Sequence, residues 1–322
     1  MLLLYLGVIL KSFCISLLIF LVIGQTFSQA NYSETLHLKV DNDAFLFSQT
    51  DWYYSSGIYA NYRKQIKKET ALINIFPSKN KKIFRMIGIG HQVYTPRLFS
   101  SPVMELYDRP HAALLTGDYG LTYAGISNIL GIKLSLGWMG PAIGTGPALV
   151  WFHGLVGWKT PRGWDYEISD SPVVQINLDW QKTFLTEQGV DFTFITRGQA
   201  GTIFVNSVAG IEMRLGRFLP IGNSIFFDQF TGHFSDRKLK ELFFVLGGNF
   251  EYVLYDATIE GGFIGPDSPH VESPMSWIRN GQLGVGLGSN RLDIMVILNY
   301  RSPSTTEANR HKYVTIKMNY RL

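Results

Sequence analysis

From Glu34 to Leu322, apolar side chains recur mostly at period two, in runs of about ten residues broken by turn-forming residues. A period of two is the signature of a strand with one apolar and one polar face. The last run is the clearest: Val314, Ile316, Met318, Tyr320 and Leu322 alternate with Thr315, Lys317, Asn319 and Arg321. The same alternation runs through Leu130–Trp138, Val174–Trp180 and Leu292–Tyr300. Soluble sandwiches alternate as well, so the period points to strands without naming their solvent.

The N-terminus bears on the compartment. Met1–Leu10 and Ile15–Ile23 are apolar, Lys11 is the only charge before Glu34, and Ser28-Gln29-Ala30 supplies small residues for cleavage. This reads as a secretory signal over residues 1–30, followed by one domain over residues 31–322. The alternative is an uncleaved anchor, but a span needs ~20 predominantly apolar residues and polar Gln25 and Ser28 interrupt the run. Cys14 is the sole cysteine and falls inside the signal, so the mature chain would have neither a disulfide nor a thiolate site. A lipid-modified Cys14 is disfavoured, because Lys11-Ser12-Phe13 lacks the small residue such processing requires.

Three features favour a membrane over a soluble sandwich: export, a final run that ends on Leu322, and Trp and Tyr near strand ends at headgroup level. A sheet in hydrocarbon must close on itself, since an open edge leaves backbone groups unsatisfied. The expectation is therefore an all-β fold, a closed antiparallel transmembrane β-barrel of about twelve strands in the bacterial outer membrane. Strands are expected to begin near Glu34, Tyr53, Lys82, His111, Ser127, Val173, Val190, Ile203, Leu242, Trp277, Arg291 and Lys312. Ile221–Ser235 and Tyr252–Ile264 could add or merge strands. With 29 Lys+Arg against 25 Asp+Glu, the net charge of +4 is too small for a nucleic-acid partner.

One segment breaks the period. Trp138–Trp164 is too long for a hairpin turn and apolar at Leu149, Val150, Trp151, Phe152, Leu155 and Val156. After Pro147 these positions fit a short helix in an extracellular loop, stopping at Gly157. Polar groups also gather where a purely structural barrel does not require them: Asp41-Asn42-Asp43, Thr50-Asp51, Ser55-Ser56-Gly57, Asp108-Arg109 and His153 on the loop helix. Their bland reading is lumen lining and a packed histidine. Their functional reading is a set of hard oxygen ligands suited to Ca2+ beside a base able to take a proton from water. No GxSxG elbow, HExxH helix, P-loop or EF-hand spacing identifies a reaction.

At these segments the chain resembles the outer-membrane lipid A 3′-O-deacylases of the LpxR family. The resemblance rests on VDNDAF (Val40–Phe45), YYSSG (Tyr53–Gly57), VYTP (Val93–Pro96), YDRPHA (Tyr107–Ala112) and the long block Gly140–Ile168. These pieces run in order across Leu36–Ile168 and more weakly to the end. The resemblance implies a twelve-stranded barrel that hydrolyses an ester of lipid A, with lipopolysaccharide and outer-membrane lipids as partners and calcium as cofactor. It implies His153 as the catalytic base, Asn42 and Asp43 as a catalytic pair and calcium ligands, and Ser55 where a Thr is usual. The implied chemistry is similar to that of secretory phospholipases, with a His-activated water attacking the acyl ester. Leu149 departs from the family pattern, which often has Gln four residues before the His.

Two other readings remain open on the sequence: a serine-nucleophile outer-membrane acyl hydrolase built on Ser55 or Ser56, and a non-catalytic porin-like barrel. Arg97 and Lys159 are candidates for contacting substrate phosphates.

Overall fold

The computed structural model describes residues 33–46, 52–66, 82–227, 241–289 and 291–322. The expected signal over residues 1–30 lies outside these. Twelve strands follow in chain order: β1 (Glu34–Asn42), β2 (Tyr53–Ile66), β3 (Lys82–Thr95), β4 (Ala112–Ala124), β5 (Asn128–Met139) and β6 (Ser171–Glu187) form the first half. β7 (Val190–Gly201), β8 (Phe204–Arg217), β9 (Glu241–Asp256), β10 (Trp277–Gly288), β11 (Leu292–Arg301) and β12 (His311–Arg321) form the second. Every observed start lies within two residues of the position the alternation marks. Each strand pairs antiparallel with its neighbours, and β12 returns to β1, with Leu36 opposite Tyr320 and Asn42 opposite Val314. Closure leaves no sheet edge, as a bilayer-spanning sheet requires.

The two faces differ as the alternation demands. Outward residues such as Ile87, Ile89, Leu134, Leu136, Ile176 and Leu178 are exposed and apolar. Inward residues line a polar cavity of about 670 Å³, where Lys133 meets Asp118 at 3.1 Å and Arg301 meets Glu251 at 2.6 Å. No helix among the described residues is long and apolar enough to cross a membrane, so the strands do the crossing.

The long, structured connections lie at the end opposite the described chain termini. α1 (Thr145–Val156) sits in the β5–β6 connection, and the short α2 (Ala257–Glu260) follows β9. α1 begins two residues before Pro147 and ends where expected, with Gly157 at φ 72°. That left-handed turn is readily open to glycine and reverses the chain.

At the end that carries the described chain termini, Ile221–Asn223 forms a single 3-10 turn, not an added strand, and Phe226 and Phe227 after it enter the lumen. Phe226 and Phe227 are buried there and pack with Phe84, Ile129, Phe243 and Ile297. Arg214 of β8 holds this plug: its guanidinium pairs with Asp191, donates to Ser224 Oγ at 2.6 Å and lies 4.4 Å from the Phe218 ring centre. Glu241 accepts from the Leu219 and Ile225 amides at 2.8 and 2.9 Å. Tyr252–Ile264, the other uncertain stretch, completes β9 and then forms α2.

Candidate active site

Strand parity assigns the candidate residues to faces. On β1, His37 and Lys39 line the lumen, as Asp41 does through bonds to Thr315 Oγ1 (2.6 Å) and Tyr54 OH (2.8 Å). Asn42 therefore points outward, toward the lipid side of the wall. On β3, Met86, Gln92 and Tyr94 face the lumen, which places His91, Val93 and Thr95 on the outer face. Val93 and Thr95 are nonetheless only 2% and 1% exposed, so protein covers the outer wall at this height.

Part of that cover is the loop carrying α1. Thr145 Oγ1, at the start of α1, lies 2.9 Å from His91 Nε2 on the outer face of β3. None of the residues between 97 and 108 or between 140 and 170 lines the lumen. The helix thus lies against the outside of the barrel.

His153 is the buried side chain near the end of α1, 4% exposed among otherwise open neighbours. After Gly157 the chain doubles back, so that Trp158 N donates to the His153 carbonyl at 2.9 Å and the Lys159 carbonyl meets His153 Nδ1 at 2.7 Å. A carbonyl only accepts, so Nδ1 carries a proton, and whenever the ring is neutral its lone pair lies on Nε2. Edge contacts from Phe99 and Trp158, at 6.4 and 5.6 Å between ring centres, fix the ring plane. Leu149 stands one helical turn earlier and is half-buried.

Asn42 and Asp43 shape the start of the β1–β2 connection. Asn42 Oδ1 accepts the Ala44 amide at 2.7 Å, and Asp43 Oδ2 accepts the Trp52 amide at 3.0 Å. Asp43 is fully buried. Ser55 is the extra residue of a bulge: Tyr54 stands opposite Tyr94 and Ser56 opposite Val93, leaving Ser55 between them with Oγ 3.5 Å from the Val93 carbonyl. These residues share the loop end of the barrel with His153. Residues 47–51, including Thr50 and Asp51, lie outside the described residues.

The donor set is all oxygen and contains a carboxylate, which fits a hard cation such as calcium better than a soft metal. An amide or carboxylate oxygen already accepting one N–H has a second lone pair to offer. Among the described residues no three His, Cys, Asp or Glu side chains gather around one point, so backbone, water or substrate oxygens would have to complete a six- to eight-oxygen shell.

Asp108 and Arg109 do not pair with each other. Asp108 accepts from Tyr53 OH (2.7 Å) and the Arg97 amide (2.9 Å), with Arg97 Nε at 3.6 Å. Arg109 turns the other way, over the Tyr94 ring and onto Thr258. Lys159 Nζ lies 5.9 Å from the Phe99 ring centre. Residue order alone gave no sign of the outward face, the Lys159 carbonyl or the Phe99–Trp158 clamp. The only cue to the carbonyl was Gly157, which permits the reversal.

A second loop cluster supports this package. His111 is fully buried between Tyr107 and Trp164, at 5.1 and 4.9 Å between ring centres, with no hydrogen bond to either ring nitrogen. Burial, then Arg109 and His270, press its pKa from 6.5 to about 3. Burial and Asp170 raise Glu167 from 4.5 to about 8. The His111 contribution is present above pH 6.5 and lost as pH falls toward 3; that of Glu167 is present below 4.5 and lost as pH rises toward 8. Between 4.5 and 6.5 the two slopes cancel, so the package should be most stable there and lose roughly 2 kcal/mol by pH 3 or pH 8. Hydrogen exchange of the Ile168 amide, which donates to the His111 carbonyl at 2.9 Å, reads this directly once corrected for intrinsic rates. His111→Leu should remove the acidic limb and, with nothing left to offset Glu167 between 4.5 and 6.5, start the alkaline loss at pH 4.5; a flat profile in the parent protein would contradict the assignment.

A closed twelve-stranded antiparallel barrel with an apolar outer face and a polar lumen defines an outer-membrane protein. Residues 12–322 match the family described as "Outer membrane protein LpxR", and the chain belongs to that family. Among solved structures, LpxR from Salmonella typhimurium superposes with a TM-score of 0.70 at 15% identity, over 89% of this chain and 99% of that one. The β-domain of the Bordetella autotransporter BrkA gives 0.46 at 8% identity, over 90% and 99% of the two chains. No curated protein matches the sequence.

Proposed function

We propose that this barrel is a calcium-dependent hydrolase that removes the ester-linked 3′-O-acyl chain of lipid A in the outer leaflet. The observation that carries the reading is the place of His153: buried under a helix that lies on the lipid side of the wall, with its tautomer set by the Lys159 carbonyl. A substrate confined to the bilayer can reach that side by lateral diffusion. His153 Nε2 takes a proton from water, and the water oxygen adds to the ester carbonyl carbon. The acyl C–O bond then breaks, and the proton passes from the imidazolium to the departing sugar alkoxide. Fatty acid and a free sugar hydroxyl result.

Asn42 and Asp43 would hold the calcium ion, whose charge, when bound, stabilises the developing oxyanion. The Ser55 hydroxyl, in the bulge beside them, would orient substrate or ion. Family membership supports the choice of lipid A. A serine nucleophile is less well supported, because the Ser55 hydroxyl points to the Val93 carbonyl. A porin is disfavoured by the Phe226–Phe227 plug.

Mass spectrometry of lipid A from cells with and without the protein should show the loss of one ester-linked acyl chain. Chelation should abolish this loss, and calcium should restore it where magnesium does not. Asp43→Asn should raise the calcium concentration for half-maximal activity about tenfold, equivalent to ~1.4 kcal/mol. Activity indifferent to chelation, with an acyl-enzyme trapped on Ser55 or Ser56, would favour the serine reading instead.

A further inference from the structure

α1 spans 12 residues, TGPALVWFHGLV, and is apolar nearly all round. A helix of this kind belongs in a protein core or in lipid. It is not in the core: Trp151 and Leu155 are 69% and 68% exposed, and only Thr145, Gly146 and His153 of the helix are buried. Nor does it cross the bilayer, since 12 residues reach only ~18 Å against a hydrocarbon core of ~30 Å.

Its surroundings say what covers it. The helix follows β5, whose outer face ends in exposed Leu136 and Trp138, and its first turn is bonded to His91 on the outer face of β3. His91 stands opposite Leu115, another exposed outward residue. The open apolar surface of α1 therefore continues the lipid-facing belt of the barrel. The β3–β4 connection extends it with Leu98, Val103 and Leu106, at 40%, 44% and 54% exposure. Trp138 Nε1 donates to Asp170 at 2.8 Å, the amphipathic arrangement that marks an aromatic side chain at the headgroup level.

We infer that α1 is a membrane-dipping helix, seated among the acyl chains of the outer leaflet with Trp151 and Leu155 as its insertion points. This deepens the reading of His153 as a lipid-facing base: an inserted helix would bring the acyl ester of a membrane lipid to the imidazole from the side, without lifting it into water.

Insertion can be measured without any turnover. On a Cys14→Ser background, nitroxide labels at Trp151→Cys and Leu155→Cys in barrels reconstituted into lipopolysaccharide-containing liposomes should be more accessible to oxygen than to a water-soluble nickel complex. They should resemble a label at Val296→Cys on the lipid-facing wall and differ from one at exposed Glu187→Cys. Preferential access to nickel would overturn the inference, as would protection from both quenchers, which would place α1 against a second copy or another protein.

A second measurement separates insertion from catalysis. Trp151→Asp combined with Leu155→Asp should slow cleavage of bilayer-embedded lipid A at least about tenfold, because carboxylates resist burial in hydrocarbon. The same variant should cleave a detergent-dispersed acyl ester within twofold of the parent rate. Equal loss on both substrates would overturn the inference while leaving the hydrolase reading intact. Absence of any cleavage by the parent protein would instead sink the hydrolase reading and leave the depth measurement standing.

Discussion

Replacing His153 with glutamine should lower lipid A deacylation by about 10²–10⁴-fold, the range expected when a positioned proton acceptor is removed. The barrel itself should be indifferent to the change. His153 lies on a loop helix outside the wall, and its clamp of Phe99, Trp158 and the Lys159 carbonyl belongs to the loops, not to the strand ladder. Heat-modifiable migration on gels should therefore be unchanged while activity collapses. The split between kcat and KM is informative as well. A base acts on the reaction step, so kcat should fall with little change in KM. A variant that retained full activity would remove His153 from the chemistry.

The largest structural effect is expected at the other end of the molecule. Arg214→Ala should destabilise the barrel by about 3–5 kcal/mol, because it strands Asp191 and Glu241 in a lumen from which their partner has gone. Arg214 and Asp191 are 1% and 2% exposed, so water cannot take over the lost contacts in the folded state. Urea titration of barrels in lipid vesicles gives the loss. The same change frees Ser224 and the aromatic rings packed on the guanidinium, so Phe226 and Phe227 lose an anchor. A planar bilayer that is silent with the parent protein should then conduct. Changing the closer pair to apolar residues of similar size, Arg214→Met with Asp191→Leu, should recover the Asp191 share of the loss, since a buried ion pair and a packed apolar pair are often close in free energy, while Glu241 still lacks its cation. Conductance by the parent barrel would contradict the plug.

The sequence carried the wall of this molecule well because the requirement it meets is simple. Each span must alternate, and the runs ending at Trp138, Trp180, Tyr300 and Leu322 do so without interruption. The loop helix was legible for a similar reason, with Pro147 near its start and Gly157 at its end. The candidate residues were legible as residue types and through a family resemblance. Their arrangement was not. Asp41 and Asn42 are neighbours in the chain, yet one enters the lumen network and the other lies on the outer face of the wall, and the parity that separates them depends on the register of β1 with β2 and β12. Asp108 and Arg109 look like an adjacent ion pair, but successive residues on an extended chain diverge, and each found a partner far away in sequence. Ile221–Ser235 offered apolar residues without a clear period. The described part of it turns inward because Arg214 and Glu241, on two different strands, supply donors and acceptors that the local sequence does not reveal.

The opposition of Asp41 and Asn42 also foretells how damage would be distributed along the upper strands. Substitutions should sort by odd and even position into two kinds of phenotype: on one side poor assembly and low abundance, on the other a well-made protein that does nothing. On β1 the boundary between them would fall within a single peptide bond.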